Sequence, residues 1–234
     1  MNNRRLLTSG CSYTDYCWST WSDILGTKFS EYRQVGQGGC DNAFIARSIV
    51  NNARADDVVV IMWTSYDRWS FYSDNVIPLP KDANNHWKHL GSHIVHNKEF
   101  FVNYYNRVER FHTTMDYIQL VDLHSQVNDY DVYHFSAFPL FLAETEKNID
   151  PKLVEICSRY DIKNNYLLDT SLDEYRLSRY NIITNHEYCK NDGHPTPLCH
   201  WDYAEQFIAP KLNVNLSQER KQSIIKEQQD LISK

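Results

Sequence analysis

Short apolar runs alternate with amphipathic stretches along the chain. Arg5–Thr8 is a short segment ending in Ser9-Gly10, which predicts a strand entering a tight turn. Trp18, Trp21 and Leu25 share one face of a helix over Tyr16–Leu25. Glu31–Val35 predicts a second strand, followed by Gly36-Gln37-Gly38-Gly39, and Asp41 caps a helix carrying Phe44, Ile45, Ile49 and Val50. Val58–Met62 is continuous, apolar and β-branched, the pattern of a strand buried on both faces. Ser70–Lys98 has little periodicity and many Asn, Asp, His and Pro residues, so it reads as a long surface excursion or lid. Glu99–Val127 predicts one long helix or two, Val132–Phe135 a fourth strand, Asp150–Tyr160 a helix, and Tyr166–Leu168 a fifth, short strand. Ser217–Lys234 is charged and helical and reads as a peripheral arm.

Strands alternating with helices predict an α/β protein: a three-layer α/β/α sandwich around a central, mostly parallel five-stranded sheet. The expected division is one domain over residues 1–215, interrupted by the 70–98 excursion, with a C-terminal helical arm over 216–234. In such sheets, sites form beyond the carboxyl ends of the strands. The loops expected there carry Gly10-Cys11-Ser12, Gly36-Gln37-Gly38-Gly39 and Trp63-Thr64-Ser65.

Composition narrows the function classes. A chain of 234 residues buries roughly 70% of its unfolded surface and needs no covalent staples. The net charge of −6 is spread without long runs, which argues against nucleic acid as a partner. The six cysteines (Cys11, Cys17, Cys40, Cys157, Cys189 and Cys199) are expected as free thiols, because the N-terminus lacks a signal-peptide core. No run approaches the ~20 apolar residues of a membrane span, so the expectation is a cytoplasmic protein without membrane partners. The 16 Tyr and 6 Trp suit core area or a platform for flat-faced ligands.

Two segments carry candidate chemistry. Gly10-Cys11-Ser12 places a serine at the functional edge of the sheet, where glycine permits a tight turn. Taken alone, a serine capping the next helix is the plainer reading. Asp192-Gly193-His194-Pro195 supplies a histidine, and a carboxylate two residues before it. A nucleophilic serine needs such a base, and the base needs an acceptor that holds its tautomer.

The two segments, in this order, resemble the SGNH (GDSL-like) hydrolase family, and the likeness covers four short blocks between Gly10 and about Ala204. The resemblance implies a flavodoxin-like SGNH fold and a serine esterase working through an acyl-enzyme, with a small-molecule or glycan ester as substrate and no cofactor or metal. It assigns Ser12 as nucleophile, His194 as general base and Asp192 as its orienting acid. The oxyanion hole falls to the N–H groups of Ser12 and Gly39, with Gly38 as the other choice of glycine, and to Ser65. Trp63, Thr64 and Arg68 are the substrate-binding candidates.

The chain departs from the family pattern in three blocks. Cys11 stands where the family has Asp. The third block, Trp63-Thr64-Ser65-Tyr66-Asp67-Arg68, lacks the family's Asn; Ser65 falls in its place, with Thr64 as fallback. The last block has one residue between Asp and His rather than two, which leaves His200 as a rival base.

Other readings compete. Cys11 would serve a Cys–His hydrolase. His186, Cys189, His194, Cys199 and His200 have zinc-binding types but no common zinc spacing, and His86, His89, His93 and His96 fall at near-helical intervals in a polar loop. The glycine-rich segment lacks dinucleotide-binding and P-loop spacing. Trp63, Tyr66 and Trp69 beside the site favour an O-acetylated carbohydrate. A phage-type relative that has lost catalysis and serves as a binding module or virion component is the alternative function.

Overall fold

The computed structural model describes residues 2–72, 87–91, 106–141, 149–180 and 193–233. Strand β1 (Asn2–Gly10) runs up the middle of the sheet and buries Leu6, Leu7, Thr8 and Ser9 completely. Helix α1 (Trp21–Gly26) leads to β2 (Phe29–Gln34), which pairs with β1 in parallel, Leu6 opposite Tyr32. Helix α2 (Asn42–Val50) begins where the Asp41 side chain accepts the Phe44 N–H at 2.8 Å. Strand β3 (Val58–Trp63) is buried at every position, as its unbroken apolar run predicts, and lies parallel to β1.

A hairpin of β4 (Arg68–Tyr72) and β5 (Trp87–Gly91) forms a separate two-stranded sheet. The remainder of the 70–98 excursion lies outside the described residues. Helix α3 (Arg107–Asn128) ends at Asp129, whose left-handed φ of 54° stops the helix before β6 (Asp131–Ser136). Helix α4 (Pro151–Cys157) has Pro151 in its first turn and the Asp150 carboxylate as cap. Helix α5 (Leu172–Arg179) opens with a Ser171/Glu174 capping box. Helix α6 (Pro197–Tyr203) runs into a π-helical turn at Ala204–Ile208, and α7 (Gln218–Ser233) follows.

The result is an α/β fold around a four-stranded parallel sheet of order β2-β1-β3-β6. Helices α2 and α3 pack together against this sheet, while α1 packs on β2 and α6. A buried pair, Arg5 with Asp57 at 2.5 Å, pins the start of β3 to β1. Among the described residues no helix is long and apolar enough to cross a membrane.

Two expectations change. The first helix starts at Trp21, not Tyr16, because the chain after Ser12 is consumed by a turn. The fifth strand at Tyr166–Leu168 is reduced to one parallel bridge between Asn165 and His134. His134 N–H reaches Asn164 O at 3.1 Å and Tyr166 N–H reaches His134 O at 2.9 Å, and the ladder goes no further. Asn164 holds a left-handed φ of 45°, which interrupts extended pairing on that side. The C-terminal helix, expected as a peripheral arm, buries Ile224, Gln228 and Leu231 and lies along α6.

Candidate active site

The end of β1 folds back at once. The N–H groups of Thr14 and Asp15 both reach the Cys11 carbonyl, at 2.8 and 3.1 Å, and this turn presents Ser12 at the carboxyl edge of the sheet. The second loop lies directly on it. A Cβ on Gly36 would sit 2.7 Å from the Gly10 nitrogen, so only glycine allows this approach. Gln37 N–H then donates to the Gly10 carbonyl at 3.0 Å. The turn Gln37–Cys40 closes with a Cys40 N–H to Gln37 O bond at 3.2 Å, and Gly39 takes the left-handed position at φ 79°. Gly38 borders Ser12, 3.8 Å separating the Ser12 Cβ from where a Gly38 Cβ would lie. Among the described residues, the N–H groups of Ser12, Gly38 and Gly39 have no protein acceptor. They are available to a developing oxyanion.

The distant histidine meets this serine. His194 Nε2 stands 2.7 Å from Ser12 Oγ. To accept the hydroxyl proton, Nε2 must be unprotonated, which puts the imidazole proton on Nδ1. Asp192, expected to receive that proton, lies outside the described residues.

Two tyrosines hold the ring. Tyr16 stacks on it face to face, centroids 4.2 Å apart and planes 14° apart, and Tyr13 meets it edge-on at 5.4 Å. The Tyr13 hydroxyl donates to Asp173 Oδ1 at 2.7 Å, and burial beside that carboxylate raises its pKa, so the donor stays protonated. Asp173 also pairs with Arg176 at 2.9 Å. Trp18 Nε1 donates to the Pro195 carbonyl at 2.9 Å, tying the histidine loop to the segment after Ser12. Tyr13 and Tyr16 follow Ser12 directly in sequence, but no local signal identifies Asp173 or Arg176 as their supports.

The third loop differs from expectation. Trp63 is wholly buried and its indole N–H donates to His134 Nδ1 at 3.1 Å, so it lies in the core and offers no face to a substrate. Thr64 is wholly buried too, with its N–H and C=O both held by the Asn42 side chain at 2.9 and 3.0 Å. Ser65 and Arg68, both half-buried, are the remaining candidates of this loop. Tyr66 and Trp69 are engaged inside the protein: the Tyr66 hydroxyl accepts from Arg107 at 2.9 Å, and the Arg110 guanidinium covers Trp69 at 4.3 Å.

The rival groups lie elsewhere. His200 is buried, its Nδ1 has no partner, and burial together with nearby His194 pushes its pKa down to about 3. Cys11 is completely buried in the core, away from solvent. Among the described residues no three His, Cys, Asp or Glu side chains gather as a metal site. His86, His93, His96, His186 and Cys189, and the side chain of His89, lie outside the described residues.

No family model matches this chain, and no curated protein matches it. Among solved structures it is similar to that of the protein YxiM from Bacillus subtilis, at 10% sequence identity and a TM-score of 0.38. That comparison covers 100% of this chain and 56% of the other, so the chain spans little more than half of that protein's length.

Proposed function

We propose that the protein is a serine esterase of the SGNH type, built as a three-layer α/β/α sandwich in which the 164–166 bridge marks the fifth strand position. The observation that carries this reading is the 2.7 Å approach of His194 Nε2 to Ser12 Oγ at the carboxyl edge of a parallel sheet. Ser12 Oγ attacks the ester carbonyl carbon as its proton passes to His194 Nε2. The carbonyl electrons move to oxygen, which the N–H groups of Ser12 and of Gly38 or Gly39 receive. Collapse breaks the C–O bond, and His194 returns the proton to the leaving alcohol. Water, deprotonated by the same nitrogen, then releases the acid and frees Ser12. The stacked Tyr16 face favours the imidazolium formed in each half. Asp192 completes the set by its place in the sequence, as acceptor for Nδ1.

One observation favours a second reading, a fold kept for binding rather than catalysis. Asn42 already occupies the Thr64 N–H, so the third loop offers its oxyanion donor only through Ser65. Loss of one oxyanion donor costs roughly 3 kcal/mol of barrier lowering, which slows an esterase without abolishing it.

The deciding experiment is hydrolysis of short-chain 4-nitrophenyl esters, with a serine-directed phosphonate followed by mass spectrometry. The wild type turns the esters over and takes the label on Ser12, while Ser12→Ala loses both, with kcat down by roughly four orders of magnitude or more. Activity surviving in Ser12→Ala, or a label on Cys11, removes the proposal. No turnover and no label leave the binding module.

A further inference from the structure

The loop after β3 ends in Arg68, a cation that no carboxylate among the described residues neutralises. Arg68 opens β4 half-buried, and its Nη1 is closed off from water without a hydrogen-bond partner. Among the described residues no carboxylate pairs with it, neighbouring Asp67 included. Its guanidinium rests on an aromatic face instead, Cζ lying 5.2 Å from the Phe138 centroid. The Phe138 ring is 4.8 Å from that of Tyr13, which meets the His194 ring at 5.4 Å. The Cys40 thiol, pushed up in pKa by burial and drawn slightly down by the Arg68 charge, donates to the Gly10 carbonyl at 3.4 Å. Arg68 therefore belongs to the rim of loops that presents Ser12.

A charged N–H taken out of water without a partner works against the fold. The surrounding backbone is nonetheless held in place. Asp41 and Ser70 exchange two hydrogen bonds, at 2.7 and 2.8 Å. Arg110 reaches from α3 to the carbonyls of Tyr66 and Arg68, at 3.2 and 2.9 Å. A guanidinium stacked on a ring, on a clamped segment and with its Nη1 unanswered among the described residues, is arranged for a planar or tetrahedral oxyanion.

We propose that Arg68 binds an anionic group of the substrate, so that the esters this protein hydrolyses carry a carboxylate or a phosphate. The proposal rests on the esterase reading and names the substrate class of that site. It also accounts for the aromatic residues of the third loop: Trp63 lies in the core and Arg110 covers Trp69, so the loop is built around a cation rather than a sugar platform.

The test compares charged esters with neutral isosteres. One pair sets mono-4-nitrophenyl succinate against 4-nitrophenyl levulinate, with the charge on the acyl side. A second sets 4-acetoxybenzoate against 4-acetylphenyl acetate, with the charge on the alcohol side, and 4-acetoxyphenyl phosphate adds the phosphate arm. Wild type is expected to favour the anionic member of at least one pair by about tenfold or more in kcat/KM, chiefly through KM. Arg68→Met, which keeps an apolar stem over Phe138, brings that ratio near one, and Arg68→Lys restores part of it. Melting temperatures establish that both variants fold. A ratio near one in every pair, or one indifferent to Arg68→Met, overturns the proposal where Ser12 takes the phosphonate label, and leaves the esterase standing. Absence of label and turnover counts against the esterase instead. The anion site is then read by calorimetric titration with 4-hydroxybenzoate and phenyl phosphate. Saturable binding of either, weakened at least tenfold by Arg68→Met, upholds it, and no binding of either overturns it.

Discussion

His194 and His200 sit close together in sequence and in space, yet in different surroundings. His194 faces Ser12, while His200 lies in the core with an unpartnered Nδ1. Burial, helped by His194, depresses the folded-state pKa of His200 to about 3, against 6.5 for an ordinary histidine. The unfolded chain therefore binds the extra proton first. Stability falls as pH drops from about 6.5 toward 3 and is insensitive to this group above that window. Burial lowers the pKa of His134 as well, and its contribution has the same sign. His200→Leu should flatten the acid limb of stability, by on the order of 2 kcal/mol between neutrality and about pH 5. Urea midpoints measured at several pH values check this, and an unchanged limb would mean that His200 is already protonated in the fold. The serine and histidine that the structure brings together as a candidate site were legible in the sequence because glycine, serine, histidine and proline form short local patterns. Trp63 and Thr64 were misplaced because the first residues beyond a strand point either into the core or to the site. That choice depends on His134 and Asn42, partners far away in the chain.

Among the elements, the strands were the most legible, since a buried parallel strand such as β3 needs an unbroken apolar run. The Tyr166–Leu168 run looked like another strand, but strand pairing is a long-range matter and Asn164 disrupts it. Asp41 was legible as a cap, whereas its neighbour Asn42 was not, because its function is to bind another element. Asn42 opens α2 and reaches the end of β3, bonding Thr64 through both amide atoms, and its Nδ2 also donates to Thr114 Oγ1 of α3 at 3.1 Å. One side chain thus joins two helices to the strand that carries the third site loop. Asn42→Ala leaves the buried Thr64 N–H and C=O unpaired, and should cost about 2–4 kcal/mol. Urea unfolding with an unchanged m-value would show it. Asn42→Asp, which still accepts the Thr64 N–H but no longer donates to its carbonyl, should fall between the two. A loss under 1 kcal/mol in Asn42→Ala would mean that water replaces the amide.

At the scale of the whole molecule, the helix expected as a peripheral arm packs behind the candidate site. Leu231 of α7 packs on Trp18, whose ring lies 4.6 Å from that of Tyr16 in an edge contact, and Tyr16 stacks on His194. Glu227 accepts the Ser19 N–H at 2.9 Å, so the same helix also grips the backbone beyond the Ser12 turn. Two rings, Trp18 and Tyr16, therefore connect the C-terminal helix to His194, and Trp18 fastens the His194 loop through Pro195. The sequence concealed this because the apolar stripe of α7 is thin among charges, leaving Ile224 and Leu231 as its buried aliphatic anchors. The two anchors allow a controlled comparison. Ile224 belongs to the main core, whereas Leu231 belongs to the small cluster with Trp18. Truncating either to alanine should cost about 2–4 kcal/mol, less at Leu231 because it is the more peripheral. Only Leu231→Ala should also slow phosphonate labelling of Ser12 in the fully folded protein, since it alone loosens the Trp18–Tyr16 stack against His194. Equal labelling rates in the two variants, measured well below their melting temperatures, would reduce α7 to a structural cover. A selective loss in Leu231→Ala would place the far end of the chain among the determinants of the histidine's position.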